Sequence, residues 1–184
     1  ELLRHLDSAS KIIFIQNAGD IGHLGPSRNS SSFKEMQANV NLNVTSCLWM
    51  SATLTKFARQ SAKELVLINI SSLVAIADFP TFGIYSAGKA ARDKYHTLIA
   101  KEEQQETASQ VRTLNYAPGP LETDMVGTIR ASMDDIDKSL QAAYQQTQLN
   151  PLDSARKLFA LLQRGDFESG SHVDFYDLPE LTDG

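Results

Sequence analysis

The sequence predicts a doubly wound α/β domain, a parallel sheet with helices on both faces. Three observations predict it: short apolar runs recur, each ends at a turn signal, and stretches of helical spacing separate them. Residues 11–16 (KIIFIQ) form the first such run and read as a strand buried on both faces. Residues 33–57 place Val40, Val44, Cys47, Leu48 and Leu54 at helical spacing without Pro or Gly, which predicts a long helix. Residues 64–70 are a second buried strand, 84–103 a second helix, and 111–116 a third strand closed by Pro118 and Gly119. In the helix expected over residues 151–164, Asn150 is the N-cap, Pro151 the first helical residue and Gly165 the terminator. Residues 171–175 read as a last strand, and the polar, weakly periodic stretch 128–148 as a mobile helical lid.

Composition narrows the function classes. The 184 residues suffice for one domain with a substantial core, and 42% hydrophobic with 21% charged residues is ordinary for a globular protein. A net charge of -5 offers no basic face to nucleic acid or to an anionic membrane. The longest apolar stretch, residues 65–77, is interrupted by Asn69, Ser71 and Ser72 and is too short to span a bilayer. With no basic-then-apolar leader and a single cysteine, Cys47, the expected location is the cytoplasm. The composition suggests no metal site.

Two places are rich in glycine. Gly19, Gly22 and Gly25 follow a strand, but their spacing is not G-x-G-x-x-G, and a loop, 26–32, follows where the dinucleotide fingerprint requires a helix. Asn17, Ala18 and Gly19 are better read as a turn at the carboxyl end of a strand. Such a turn either is ordinary or lets a ligand approach the backbone.

Tyr85 and Lys89, one helical turn apart, share a face. An ammonium there would stabilise the phenolate and bring Tyr85 towards acid–base range. Ser86, Ala87 and Gly88 between them are small enough to admit a ribose. Alone, this spacing arises by chance on many exposed helices. Ser72, at the end of the preceding strand, could polarise a substrate carbonyl, or simply end the strand. Asn43 is a poor helix-interior residue whose amide could hold a water in a relay to Lys89, or simply face solvent.

In order, Asn17-Ala18-Gly19, Asn43, Ser72, Tyr85 and Lys89 resemble the N-A-G turn and Asn-Ser-Tyr-Lys tetrad of the short-chain dehydrogenase/reductase superfamily. One departure is Gln16, where that family usually carries a second Asn. The longer stretches 69–73, 87–93, 114–125 and 169–177 look like the branch that reduces pterin side-chain ketones, towards tetrahydrobiopterin. The resemblance implies the C-terminal part of a Rossmann-like sheet, one partial domain over residues 1–184. The first strands and the Gly-rich pyrophosphate loop would be missing, and residues 1–6 would end the helix before the first strand seen here. It implies NADP(H), bound by Asn17, Ala18, Gly19, Tyr85, Lys89, Pro118, Gly119, Leu121, Thr123, Asp124 and Met125. It makes Asn43, Ser72, Tyr85 and Lys89 catalytic, and gives the substrate to Ser72, Tyr85, Gly119 and Asp174. Asp174 would anchor the pterin, and Phe82 either packs on its ring or belongs to the core. A homodimer is implied through the two long helices, with Leu48, Leu54, Tyr95 and Leu98 outward. Two alternatives stay open, a reductase of another ketone and a truncated, non-catalytic binding or dimerisation module.

Overall fold

A computed structural model describes Leu6 and residues 8–30 and 32–180. Its 4-stranded parallel sheet follows chain order: β1 (Lys11–Gln16), β2 (Glu64–Ile70), β3 (Val111–Ala117) and β4 (His172–Asp174). Parallel neighbours need crossovers. The first runs through α1 (Phe33–Val40), a π turn (Asn41–Thr45) and α2 (Ser46–Gln60), so the expected single helix is one continuous helical rod with a bulge. The second is α3 (Gly83–Gln104). The third holds α4 (Asp124–Ala131), α5 (Lys138–Gln145) and α6 (Pro151–Arg164). Asn150 caps α6 by accepting from the Leu152 amide, and Gly165 ends it in the left-handed conformation at φ 68°. Apart from Leu6, the helix expected over residues 1–6 lies outside the described residues.

Alternation along the strands splits the core. Ile12, Leu65, Leu67 and Val111 pack with Leu54, Ala58 and Ile99 of α2 and α3. Val66, Ile68, Leu114 and Tyr116 face the other way, against Leu158 and Leu161 of α6. β2 and β3 are buried on both faces, as expected. β1 is not: Ile13 and Ile15 are 47% and 40% exposed, because β1 is the edge of the sheet and α6 does not extend over it. Two residues expected on the outer helix faces point inward. Leu54 is fully buried in the α2 core, and Tyr95 packs against the same cluster. Leu98 is exposed as expected and Leu48 is half-buried, and the other exposed apolar residues of these helices are Phe33, Met36, Val40, Leu42 and Trp49. The last strand is shorter than expected. Asp174 accepts from the Tyr176 amide while its own N–H donates to Asp177, and this capping box winds the chain into a 3₁₀ turn (Phe175–Asp177). Among the described residues, no helix is long and apolar enough to cross a membrane.

Gly170, just before β4, lies against α3. Its φ is 86°, and an added Cβ would stand 2.8 Å from the Ala100 Cβ and 3.3 Å from the Thr97 Cα. Neither neighbour can swing aside. Gly170→Ala is therefore expected to destabilise the domain by about 2–3 kcal/mol, through strain and overpacking together. Urea unfolding at fixed pH checks this, and a loss below about 0.5 kcal/mol would contradict it.

Candidate active site

In register, Gln16 lies beside Asn69, Ile70 beside Tyr116, and Ala117 beside Asp174. The segments that follow each strand therefore emerge at one edge of the sheet. That carboxyl edge is where open parallel sheets bind ligands. It gathers Asn17, Ser72, Gly119 and Asp174. Asn17 and Ala18 are exposed, and Gly19 is held close, since an added Cβ would be 3.3 Å from Asn43 Oδ1. Ser72 is half-buried and caps the 3₁₀ turn Leu73–Ala75, its Oγ accepting from the Val74 amide at 3.4 Å. Val74 packs in the same apolar cluster as Tyr85.

Tyr85 and Lys89 are both buried on one face of α3, with Lys89 Nζ 5.4 Å from the Tyr85 ring centroid. Nζ donates to the Ile70 carbonyl at 2.6 Å, which fastens the lysine to the end of β2. Burial, then the Arg92 charge, lowers Lys89 to about 7, against the opposing pull of Asp93 and Cys47. Burial, then Tyr144, pushes Tyr85 up to about 12, with Arg92 opposing. The expected lowering of the phenol by Lys89 is thus not realised here. Desolvation outweighs it, and the cation that favours the phenolate is Arg92.

Asn43 sits in the π turn and is buried, not solvent-facing. Its Nδ2 donates to Asp20 O at 2.7 Å and to Asn39 Oδ1 at 2.9 Å, while Oδ1 accepts from the Asp20 amide at 2.9 Å. The amide is thereby committed to the loop after β1 and has no donor left for a relay water. Gln16 is equally committed: Nε2 donates to Cys47 O and Ser51 Oγ, and Oε1 accepts from the Cys47 thiol. The residue that departs from the family pattern is a satisfied tie between β1 and α2.

Beyond β3, Pro118 O accepts from Ser154, and Gly119 has φ 77° with space for a Cβ blocked by Leu149 at 2.7 Å. Leu121 bridges to Leu149, Thr123 is the residue before α4, and Asp124 opens that helix exposed. Met125 turns inward to the cluster around Tyr85. Phe82 belongs to the core. It is 1% exposed and stacks on Tyr144 at 5.9 Å with an interplanar angle of 16°, so its ring face is already covered. The stretch 128–148 is helical only at 128–131, the end of α4, and at 138–145, which is α5, and Ile129, Ile136, Met133, Leu140 and Tyr144 pack down onto Phe82 and Tyr85. Arg130 fastens it by donating to the carbonyls of Tyr144 and Gln146 and pairing with Glu122.

Sequence reasoning missed two buried charged residues and a half-buried histidine. Arg92 and Asp93 follow Lys89 on α3, and His172 opens β4. Asp93 accepts from Asn69 Nδ2 at 2.8 Å and from Ser71 Oγ at 2.5 Å, and its Oδ2 meets His172 Nδ1 at 2.6 Å. The available signal was a pair of charges on the inward side of α3. Among the described residues, no cluster of side chains could hold a metal ion.

The buried lysine makes stability depend on pH with a definite sign. Folded Lys89 sheds its proton near 7, whereas an unfolded lysine keeps it to 10.5. Between those values the unfolded chain binds more protons, so this residue makes stability rise with pH. The stability difference between wild type and Lys89→Met is expected to climb across that window by at most about 1.4 kcal/mol per pH unit. A flat difference in urea unfolding would contradict the assignment.

A family model described as short chain dehydrogenase matches residues 8–134. The chain is 40% identical over 173 residues to sepiapterin reductase of Rattus norvegicus, covering 91% of this chain and 64% of that protein. It is 30% identical over 190 residues to benzil reductase ((S)-benzoin forming) of Bacillus subtilis (strain 168), covering 98% and 74%. The chain spans 64–66% of the length of the sepiapterin reductases it matches. A solved structure of 4-hydroxyisoleucine dehydrogenase complexed with NADH superposes with a TM-score of 0.71 at 21% identity, over 95% of this chain and 72% of that one. Parallel sheet, crossover helices and family match agree, and the chain belongs to the short-chain dehydrogenase family.

Proposed function

We propose that this chain carries the catalytic portion of an NADPH-dependent reductase that converts a pterin side-chain ketone to the alcohol. The observation that carries this reading is the pairing of Tyr85 with Lys89 on one buried face of α3, at the carboxyl edge of the sheet. The residues present fit the nicotinamide end of such a cofactor. The exposed turn at Asn17 and Ala18, the tightly packed Gly19 and the Tyr85–Lys89 face would hold it, with Pro118, Gly119, Leu121, Thr123, Asp124 and Met125 opposite. When bound, a reduced nicotinamide supplies the hydride that adds to the carbonyl carbon. Ser72 Oγ polarises the carbonyl oxygen, and Tyr85 gives that oxygen its proton. A phenol near 12 is fully protonated at neutral pH, the form a proton donor needs. Arg92 is the cation that favours the phenolate left behind, and Lys89, the nearest ammonium to the ring, is the route by which the proton is restored. Asn43 serves by fixing the loop after β1, and its Oδ1 keeps a lone pair that can accept from a relay water.

The choice of a pterin and of NADPH rests on the likeness to sepiapterin reductase. Asp174 supports it chemically. Its Oδ1 caps the turn after β4, and an ionised carboxylate at this strand end is the kind of group that accepts from a guanidine-like edge. Likeness to benzil reductase supports the second reading, a reductase of diketones. We also propose a homodimer through α2 and α3, supported by exposed Trp49 and Leu98. Light scattering of the intact protein should give twice the monomer mass, and a monomer at micromolar concentration would refute the dimer.

Steady-state assays of the intact protein on sepiapterin and on benzil separate these readings. Tyr85→Phe is expected to lose at least about a hundredfold in kcat on both, since proton transfer is lost whatever the ketone. Asp174→Asn keeps an oxygen to cap the turn but removes the charge. It should lose about 1.5–3 kcal/mol, roughly ten- to a hundredfold in kcat/KM, on sepiapterin only. Equal losses on both substrates would remove Asp174 from the pterin site, and wild-type turnover of benzil alone would favour the second reading.

A further inference from the structure

We infer that Arg92 is a positioning residue for the proposed reduction, its buried guanidinium fastening the turn after β1 to the helix that carries Tyr85 and Lys89. The inference rests on the reductase reading of that helix face. Arg92 is 1% exposed and stands one turn beyond Lys89. Nη2 donates to Gln16 O at 2.7 Å and Nη1 to Ala18 O at 3.1 Å. The two forks of one rigid plane thus grip the carbonyls on either side of Asn17, and Nη1 also lies 3.9 Å from the position a Cβ on Gly19 would take.

A buried cation is a costly way to pack a helix on a sheet. No carboxylate pairs with Arg92 among the described residues, because neighbouring Asp93 is taken up by Asn69, Ser71 and His172. Nε is buried without a hydrogen-bond partner. A second cation, Lys89, lies on the same face. An apolar side chain of similar length would fill this space more favourably. What it would not do is hold two main-chain carbonyls at fixed positions, and that is what the cofactor-facing turn requires. Costly, buried, cationic groups of this kind concentrate where chemistry is arranged.

The same guanidinium acts on Lys89. The groups facing Lys89 are Tyr85, Arg92 and Asp93 from α3, Cys47 from α2 and the Ile70 carbonyl from β2. Of these, only Arg92 is a second positive charge. Arg92 therefore joins two tasks, setting the turn against which the cofactor lies and holding Lys89 ready to release its proton.

Two variants of the intact protein separate these tasks from simple space-filling. Arg92→Lys keeps the charge and loses the fork; Arg92→Met loses both. Both should raise the KM for NADPH by about tenfold with kcat changed far less, the mark of lost positioning of a bound partner. A second measurement, NMR titration of ¹³C-lysine signals without cofactor, reads Lys89 directly, with Lys89→Met identifying its resonance. Its titration near 7 should stay in place in Arg92→Lys and move upward in Arg92→Met, where the neighbouring positive charge is gone. Should Arg92→Met fail to fold, the KM of Arg92→Lys decides. Variants that melt earlier while NADPH KM stays within about twofold and Lys89 titrates unchanged would overturn the inference. A wild type that reduces no ketone with either nicotinamide would instead overturn the reductase reading, and this inference with it.

Discussion

The carboxylate of Asp93 is the constraint on which the arrangement turns. From one turn beyond Lys89 it accepts hydrogen bonds from Asn69 and Ser71 of the β2 end and meets His172 of β4. Asn69 in turn donates to Asn115 of β3, and Asn115 donates to the Asp93 carbonyl. Arg92 beside it reaches β1. Two consecutive residues of α3 thereby engage all strands of the sheet. Apolar packing alone would let a helix slide or roll by a fraction of a turn. Directional bonds in a low-dielectric interior do not, because each displacement leaves a buried polar atom unpaired.

That rigidity fixes the helix from which Tyr85 and Lys89 project, with Lys89 held to the end of β2. They are carried on a helix whose height above the sheet is fixed from within. It also explains their ionisation. Groups held in the interior by hydrogen bonds are desolvated whether or not a partner charge is near, so burial dominates both shifts.

Much of this was legible in the sequence. The strands Lys11–Gln16 and Glu64–Ile70 and the helix Pro151–Arg164 fall where apolar runs and capping residues put them, since those signals are local. The shared face of Tyr85 and Lys89 follows from helical spacing. The rest was not legible for a physical reason. The partners of Arg92 lie 74 and 76 residues away and those of the Asp93 side chain 22, 24 and 79, and periodicity records only near neighbours. The commitment of the Asn43 amide depends on a π turn that no residue pattern announced. The exposure of Ile13 and Ile15 depends on which helix reaches the sheet edge, and the role of Phe82 on an aromatic ring 62 residues further along.

The stacked pair of Phe82 and Tyr144 has a thermodynamic consequence for any ligand that must touch Tyr85. Tyr85 is only 9% exposed beneath this pair and its apolar neighbours. For a ketone whose bulk needs the space that α5 occupies beside the Tyr85 ring, only molecules in which α5 has lifted can bind it. Apparent affinity is then the intrinsic affinity multiplied by the open fraction. Substitutions in α5 far from any bound atom, at Leu140 for instance, would shift binding of every such substrate by one common factor. Discrimination between them would be untouched.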